Sequence, residues 1–168
     1  MTERCAGCSL LTEGGTAGCR KLFEELCARE WDNPISYRVH RMMVDAYCLQ
    51  HPDEYCATAK SFAAHLTGMC CAIEHKSHPN VLRAVQQWLS GKAAVEKPPL
   101  PARRGELTLM QVYREQDPVP QMLAVNRWAQ STWNAYSALH PLARKWIEQA
   151  MERPASARRG PARRYVDA

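Results

Sequence analysis

Several patterns that mark familiar functions are missing from this sequence. No apolar run approaches the length of about 20 residues that a membrane-spanning helix needs. The first residues, Met1-Thr2-Glu3-Arg4-Cys5, lack the basic and then apolar segments of a secretory signal, so we expect a cytoplasmic protein without a membrane partner. A glycine-rich phosphate loop, a nucleophile elbow and a His-Glu-x-x-His string are also absent. These absences lower the expectation of an enzyme without excluding an unfamiliar metal-dependent reaction.

Sustained alternation of polar and apolar residues, which marks half-buried strands, is absent as well. Apolar residues instead recur every three or four positions in several segments that proline and glycine separate. The sequence therefore predicts an all-α fold, a compact bundle of about five to seven helices. The predicted helices cover about residues 19–29, 34–50, 53–74, 79–90 and 107–114, a longer segment after Pro120, and a last segment that starts at His140.

The predicted organisation is a single helical domain, residues 1–152, followed by a basic tail, residues 153–168. A proline-rich connector at residues 91–106 lies inside the domain. The formal net charge is +5, and the tail, with five arginines and one aspartate, supplies +4 of it, which leaves +1 for the domain. We expect the tail to be disordered, because it has no apolar face, and to bind polyanions only weakly and without specificity.

Three of the eight cysteines form the most informative pattern in the chain. Cys5 and Cys8 are separated by two residues, and Cys19 stands at the start of the first predicted helix. A two-residue turn lets both sulfurs reach one zinc ion at about 2.3 Å, which is what a tetrahedral site requires. We therefore predict that Zn²⁺ binds these three cysteines and ties the N-terminal turn to the helices. Structural disulfides are not expected in a reducing compartment.

The fourth ligand is predicted from the geometry of the first two helices. Antiparallel pairing about Asn33 would place Cys19 opposite residues 45–51, where His51 is the nearest imidazole. His40 is the alternative, but it lies eleven residues from His51, about 16 Å along a straight helix, and one ion cannot take both. Closed coordination by three thiolates and the imidazole of His51 would leave no position for a substrate.

A second group, His40, Asp45, Tyr47 and His65, has the side chains of a second metal site or an acid–base site. On an ideal helix Asp45 falls on the opposite flank from His40 and His51, so the helix alone does not gather these residues. We therefore favour a packing network over a catalytic one for this group.

The order of several short motifs resembles a bacterial family of small helical proteins of unknown function. These motifs are Cys5-x-x-Cys8, Gly18-Cys19, Val39-His40-Arg41 and the string Val44-Asp45-Ala46-Tyr47-x-x-Gln50-His51-Pro52. The resemblance covers about residues 5–150, and the last string is its most specific part. It implies a metal-binding helical domain and supplies no activity.

Three hypotheses for the function follow from these patterns. The first, which we favour, is a noncatalytic interaction or regulatory module that zinc stabilises and that binds an unidentified protein partner. The second is a metal-dependent enzyme with an open site around His40, His51 or His65. The third is a thiol-redox protein that uses Cys5 and Cys8. Four protein ligands on the metal favour the first hypothesis, a metal-bound water favours the second, and reversible thiol oxidation without metal favours the third.

Overall fold

The computed structural model describes residues 1–31 and 33–152, so the predicted tail at residues 153–168 lies outside the described residues. Within them the prediction of an all-α fold is confirmed, and none of the helices is long and apolar enough to cross a bilayer. The elements in chain order are β1 (Thr2–Arg4), β2 (Leu11–Glu13), α1 (Gly15–Trp31), α2 (Pro34–Tyr37), α3 (His40–Gln50), α4 (Pro52–Tyr55), α5 (Ala59–Glu74), α6 (Pro79–Ser90), α7 (Met110–Tyr113), α8 (Pro118–Ala135), a 3₁₀ turn (Ser137–Leu139) and α9 (His140–Glu152).

An antiparallel hairpin at the N-terminus is a part of the fold that the sequence does not predict. β1 and β2 pair with Arg4 opposite Leu11. Each strand has three residues, and Thr12 is the only buried one among them. Strands so short and exposed leave no alternation to detect. The loop between them, residues 5–10, carries the first two cysteines and is called the cysteine loop below.

The segment predicted as one helix at residues 34–50 is divided into α2 and α3. The side chain of Asn33 caps α2 by accepting hydrogen bonds from its first free N–H groups. The chain then leaves helical geometry at Val39, which has φ −106° and ψ 4°. The helix predicted from residue 53 is likewise divided into α4 and α5, because a capping box at Thr58 starts α5 anew.

The central helix of the fold is α3. It packs against α5 and α8, while α6 and α9 pack against each other and against α5. The connector at residues 91–106 contains no helix or strand, as its prolines predict, and the helices before and after it contribute to the same core. The C-terminal end of α3 leads directly into His51, so the most buried helix of the protein also positions the predicted fourth ligand.

Candidate metal centre

The cysteine loop holds Cys5 and Cys8 in a compact turn. The backbone N–H of Cys5 donates to the carbonyl of Leu10, and the N–H of Ser9 donates to the carbonyl of Cys5, both at 2.8 Å. Ser9 has a positive φ of 63°, which bends the chain back toward β2. These bonds fix the loop so that the two sulfurs lie within 4.8 Å of each other.

Cys19 is positioned by glycines at the start of α1. Gly14 and Gly15 have φ values of 79° and 55°, a region that glycine enters without strain, and they turn the chain from β2 into the helix. Gly18 lies against β2, where a Cβ atom would overlap the carbonyl oxygen of Glu13. Because this position is glycine, α1 packs closely on the hairpin and brings the buried Cys19 thiol to the cysteine loop.

The ring of His51 is oriented by two contacts with Tyr47. A carbonyl oxygen only accepts, so Nδ1 of His51 must donate in its 2.7 Å hydrogen bond to the Tyr47 carbonyl, which leaves the lone pair on Nε2. The Tyr47 ring stacks on the His51 ring with centroids 4.0 Å apart and on Phe23 with centroids 3.7 Å apart. Metal-binding histidines commonly donate their second ring nitrogen in this way.

The four predicted ligand atoms lie within 4.8 Å of one another. Nε2 of His51 is 3.3 Å from Cys5 Sγ and 3.5 Å from Cys19 Sγ, and the sulfurs of Cys8 and Cys19 are 3.7 Å apart. A tetrahedral zinc ion with Zn–S bonds of about 2.3 Å and a Zn–N bond of about 2.0 Å separates sulfur from sulfur by about 3.8 Å and nitrogen from sulfur by about 3.5 Å. The cluster can therefore hold a metal ion of this size.

The thiols of this cluster are electrostatically coupled. The hydrogen bond with Cys19 lowers the pKa of Cys8 to about 4, against the opposing effect of burial. The same bond, together with burial, raises the pKa of Cys19. Burial lowers the pKa of His51, but the Cys8 thiolate beside it and the Tyr47 carbonyl outweigh burial and raise the pKa overall. These effects favour the thiolate form of Cys8, which is the form of cysteine that binds metals.

The structure separates the two histidines that were considered as the fourth ligand. His51 lies with the three cysteines, whereas Nδ1 of His40 is 2.8 Å from Oε2 of Glu30, away from the cluster. The pairing of the first two predicted helices therefore identified the correct neighbour of Cys19, although metal binding itself stays a prediction.

The second group of predicted residues is divided by the structure. Tyr47 lies beside His51, whereas His40, Asp45 and His65 border one pocket between α3 and α5. The sequence indicated that the helix alone does not gather these residues, and here two helices bring them together. Asp45 Oδ1, on α3, accepts from His65 Nδ1, on α5, at 2.9 Å.

The sequence was compared with known protein families, curated proteins and solved structures. The sequence model of a family of unknown function (DUF5946) matches residues 3–137. The chain belongs to the DUF5946 family. The matched region contains all four clustered residues and ends before α9. The match confirms the resemblance to a family of unknown function, and it supplies no activity. No curated protein and no solved structure matches this DUF5946 chain.

Two residues that shape these sites were not predicted from the sequence. The position of Glu30 could have been recognised in the sequence, because Glu30 follows Phe23 and Leu26 at helical spacing. This spacing places a carboxylate on the apolar face of α1. Gly7 has no such signal, since its importance comes from the approach of a residue 44 positions later in the chain. A Cβ at Gly7 would overlap Cδ2 of His51 and would lie 2.8 Å from the carbonyl oxygen of Gln50.

A Gly7→Ala variant is therefore expected to bind metal about 10-fold more weakly, because the methyl group displaces the His51 ring from the sulfurs. Metal affinity can be measured by competition with a chromophoric chelator. Ala6→Ser, at the exposed neighbouring position, is the control and should bind like the parent protein. An unchanged affinity in Gly7→Ala would show that the loop and the His51 ring do not need this close approach.

Proposed function

We propose that this DUF5946 protein is a noncatalytic, zinc-stabilised helical module that works through interaction with another protein. The observation that supports this proposal is the convergence of three separate segments on one cluster. The cysteine loop supplies two sulfurs, α1 supplies Cys19, and the residue after α3 supplies His51. An ion bound there would cross-link the exposed hairpin to the buried helices.

The ligand set favours zinc over harder cations. Three thiolates and an imidazole suit Zn²⁺, whereas Ca²⁺ and Mg²⁺ prefer oxygen ligands. Four protein ligands in a tetrahedral arrangement also complete the coordination that structural zinc sites use. A complete set leaves no open position for a substrate or for a reactive water.

Burial of the cluster agrees with a structural role. Cys5 is 1% exposed, Cys19 is 0% exposed and His51 is 4% exposed, so little of the site is open to solvent. Catalytic zinc sites keep one position accessible for a water or substrate, and only the thiol of Cys8 is partly exposed here. The same burial argues against a redox role for Cys5, because attack on a thiol requires access to it.

A cleft of about 1330 Å³ beside the cysteine loop supports the interaction role. Connector residues and α8 form its other walls, and Arg103, Arg104 and Arg127 lie along it, with Glu106 as the only acidic residue of the described lining. The Arg104 guanidinium donates to the Gly7 carbonyl at 3.4 Å, which ties the connector to the cysteine loop. This distribution of charge favours a partner with acidic side chains.

The metal content of the protein tests this proposal. Protein purified without chelator should carry about one zinc ion per chain, with three sulfurs and one nitrogen around it in X-ray absorption. His51→Ala should lose most of that metal, because removal of one ligand opens the site. His40→Ala should keep it, since His40 lies outside the cluster.

The other outcomes of this experiment identify the alternatives. Loss of zinc from His40→Ala with retention in His51→Ala would overturn the ligand assignment. A bound water in place of the fourth protein ligand would favour a metal-dependent enzyme. Absence of metal together with a reversible Cys5–Cys8 disulfide would favour a thiol-redox protein.

A further inference from the structure

A second site lies between α3 and α5, apart from the cysteine cluster. This histidine pocket has a volume of about 310 Å³. Six of the described residues line it: His40, Arg41, Val44, Asp45, Ala64 and His65. Three of the six carry side chains that are cationic or can become so.

Each histidine of the pocket is held by a carboxylate behind it. Nδ1 of His40 is 2.8 Å from Glu30 Oε2, and Nδ1 of His65 is 2.9 Å from Asp45 Oδ1. Both rings use the same nitrogen for this bond. In the part of the chain that the structure describes, Nε2 of neither ring has a hydrogen-bond partner, so these atoms remain available to a ligand.

The two carboxylates are costly to bury, which argues against a purely structural role. Glu30 is 0% exposed and Asp45 is 4% exposed. Within residues 1–31 and 33–152, Glu30 Oε1 and Asp45 Oδ2 have no hydrogen-bond partner, although Arg41 Nε lies 3.7 Å from Asp45 Oδ2. Buried charge pairs of this kind rarely stabilise a fold more than apolar residues would.

The backbone around Asp45 is also shaped to admit its carboxylate. Gly68 of α5 lies so close that a Cβ there would overlap Asp45 Oδ2. A helix interior normally favours alanine over glycine. The glycine therefore gives up helical stability and leaves room for the group that orients His65.

We propose that the histidine pocket binds a small oxyanion, the phosphate or carboxylate group of a small molecule. A carboxylate that accepts from Nδ1 favours the imidazolium form of the ring, in which Nε2–H is a charged donor. Two such donors, on His40 and His65, and the guanidinium of Arg41 then border one pocket. Each is a good partner for an oxygen that carries negative charge.

A metal cation fits this pocket less well than an anion does. Arg41 borders the pocket and is permanently charged, so it repels a cation. Among the described residues, three or more metal-ligand side chains come together at the cysteine cluster and not at this pocket. The pocket thus offers donors around its wall rather than a coordination sphere.

The proposed binding depends on pH, because it requires protonated histidines. The groups that face His40 are Glu30 on α1 and the stacked ring of Tyr37 on α2. Those that face His65 are Asp45 and, beside Asp45, Arg41. Cys71 of α5 faces Arg41 and Asp45, and burial raises its pKa to about 11, so it stays neutral.

Burial raises the pKa of Glu30 and of Asp45, while the hydrogen bonds from the imidazoles act in the opposite direction. An anion in the pocket would favour the proton on the ring, because only the protonated ring can donate from Nε2 while Nδ1 donates to the carboxylate. Anion affinity should therefore fall as the pH rises.

Titration with inorganic phosphate and, separately, with acetate tests the proposal in the full-length protein. Histidine ring signals in NMR spectra should shift for His40 and His65 and stay unchanged for His75. Affinity should be about 10-fold weaker at pH 8 than at pH 6. Tighter binding of phosphate would identify a phosphate ester as the ligand class, and tighter binding of acetate a carboxylate.

Two arginine variants separate binding in the pocket from general effects of charge and folding. Arg41→Ala removes an exposed side chain and should weaken anion binding at least 10-fold without unfolding the protein. Arg83→Ala, at an exposed position of α6 that borders neither the pocket nor the cleft, is the matched control and should bind like the parent. The proposal is overturned if neither anion shifts the His40 and His65 signals, or if Arg83→Ala weakens binding as much as Arg41→Ala.

Discussion

A Cys5→Ser/Cys8→Ser variant should bind no metal and should lose the order of its N-terminal hairpin while it keeps its helical core. Both sulfurs come from the cysteine loop, so their removal leaves two ligands, too few for a tetrahedral zinc site. Structural zinc binding in small peptides is worth about 10–16 kcal/mol at pH 7, and here part of that free energy would hold the hairpin on α1.

Apart from the proposed metal site, few buried side chains hold the hairpin in place. Among the first 15 residues only Cys5, Thr12 and Gly15 are buried, and an isolated two-stranded hairpin is marginally stable in water. The helix that follows is different, because Phe23 and Leu26 are buried in the core. We therefore expect amide protection to be lost over residues 1–14 and largely kept from α1 onward.

Hydrogen exchange and metal analysis of the same samples measure both effects. Cys27→Ser is the matched control, since Cys27 is a half-buried thiol of α1 outside the cluster, and its metal content and hairpin protection should equal those of the parent. Full zinc occupancy in the double variant would contradict the site. A uniform loss of protection across all helices would contradict the division between hairpin and core.

The parts of the site that could be predicted from the sequence are those that depend on local spacing. A Cys-x-x-Cys pair brings two sulfurs together within one turn, and the break at Asn33 allowed two helices to be paired so that His51 met Cys19. That argument used only helical rise and the position of the break. It succeeded even though α2 and α3 are separate, because the interruption at Val39 does not move the end of α3 away from α1.

Other features depend on contacts between distant segments and could not be predicted in this way. The role of Gly7 requires the position of the His51 ring, and the association of Asp45 with His65 requires the packing of α3 on α5. The hairpin was missed because three-residue strands carry no periodicity. Glu30 was the exception, since its place on the apolar face of α1 was visible in the sequence.

Gln50 is another residue whose role is set by distant contacts, and its replacement should cause a large loss of stability. Its side chain is 1% exposed and links three segments. Oε1 accepts from Trp128 Nε1 at 3.0 Å, and Nε2 donates to the carbonyls of Arg104 at 3.1 Å and Leu107 at 2.7 Å. The amide thus joins the end of α3 to α8 and to the connector.

Gln50→Leu keeps the approximate volume but leaves the Trp128 indole N–H and two carbonyl oxygens without their partner. Each buried polar group that loses its hydrogen bond costs about 1–3 kcal/mol, so the three groups together should lower the free energy of unfolding by about 3–9 kcal/mol, a large part of the total for a domain of this size. Chemical denaturation monitored by circular dichroism measures the loss. Gln130→Leu is the matched control, because Gln130 is exposed on α8 and its side chain donates to the exposed Asn134 side chain, so its change should stay within about 0.5 kcal/mol. A loss below about 1 kcal/mol in Gln50→Leu would show that the connector does not depend on this amide for its attachment to the core.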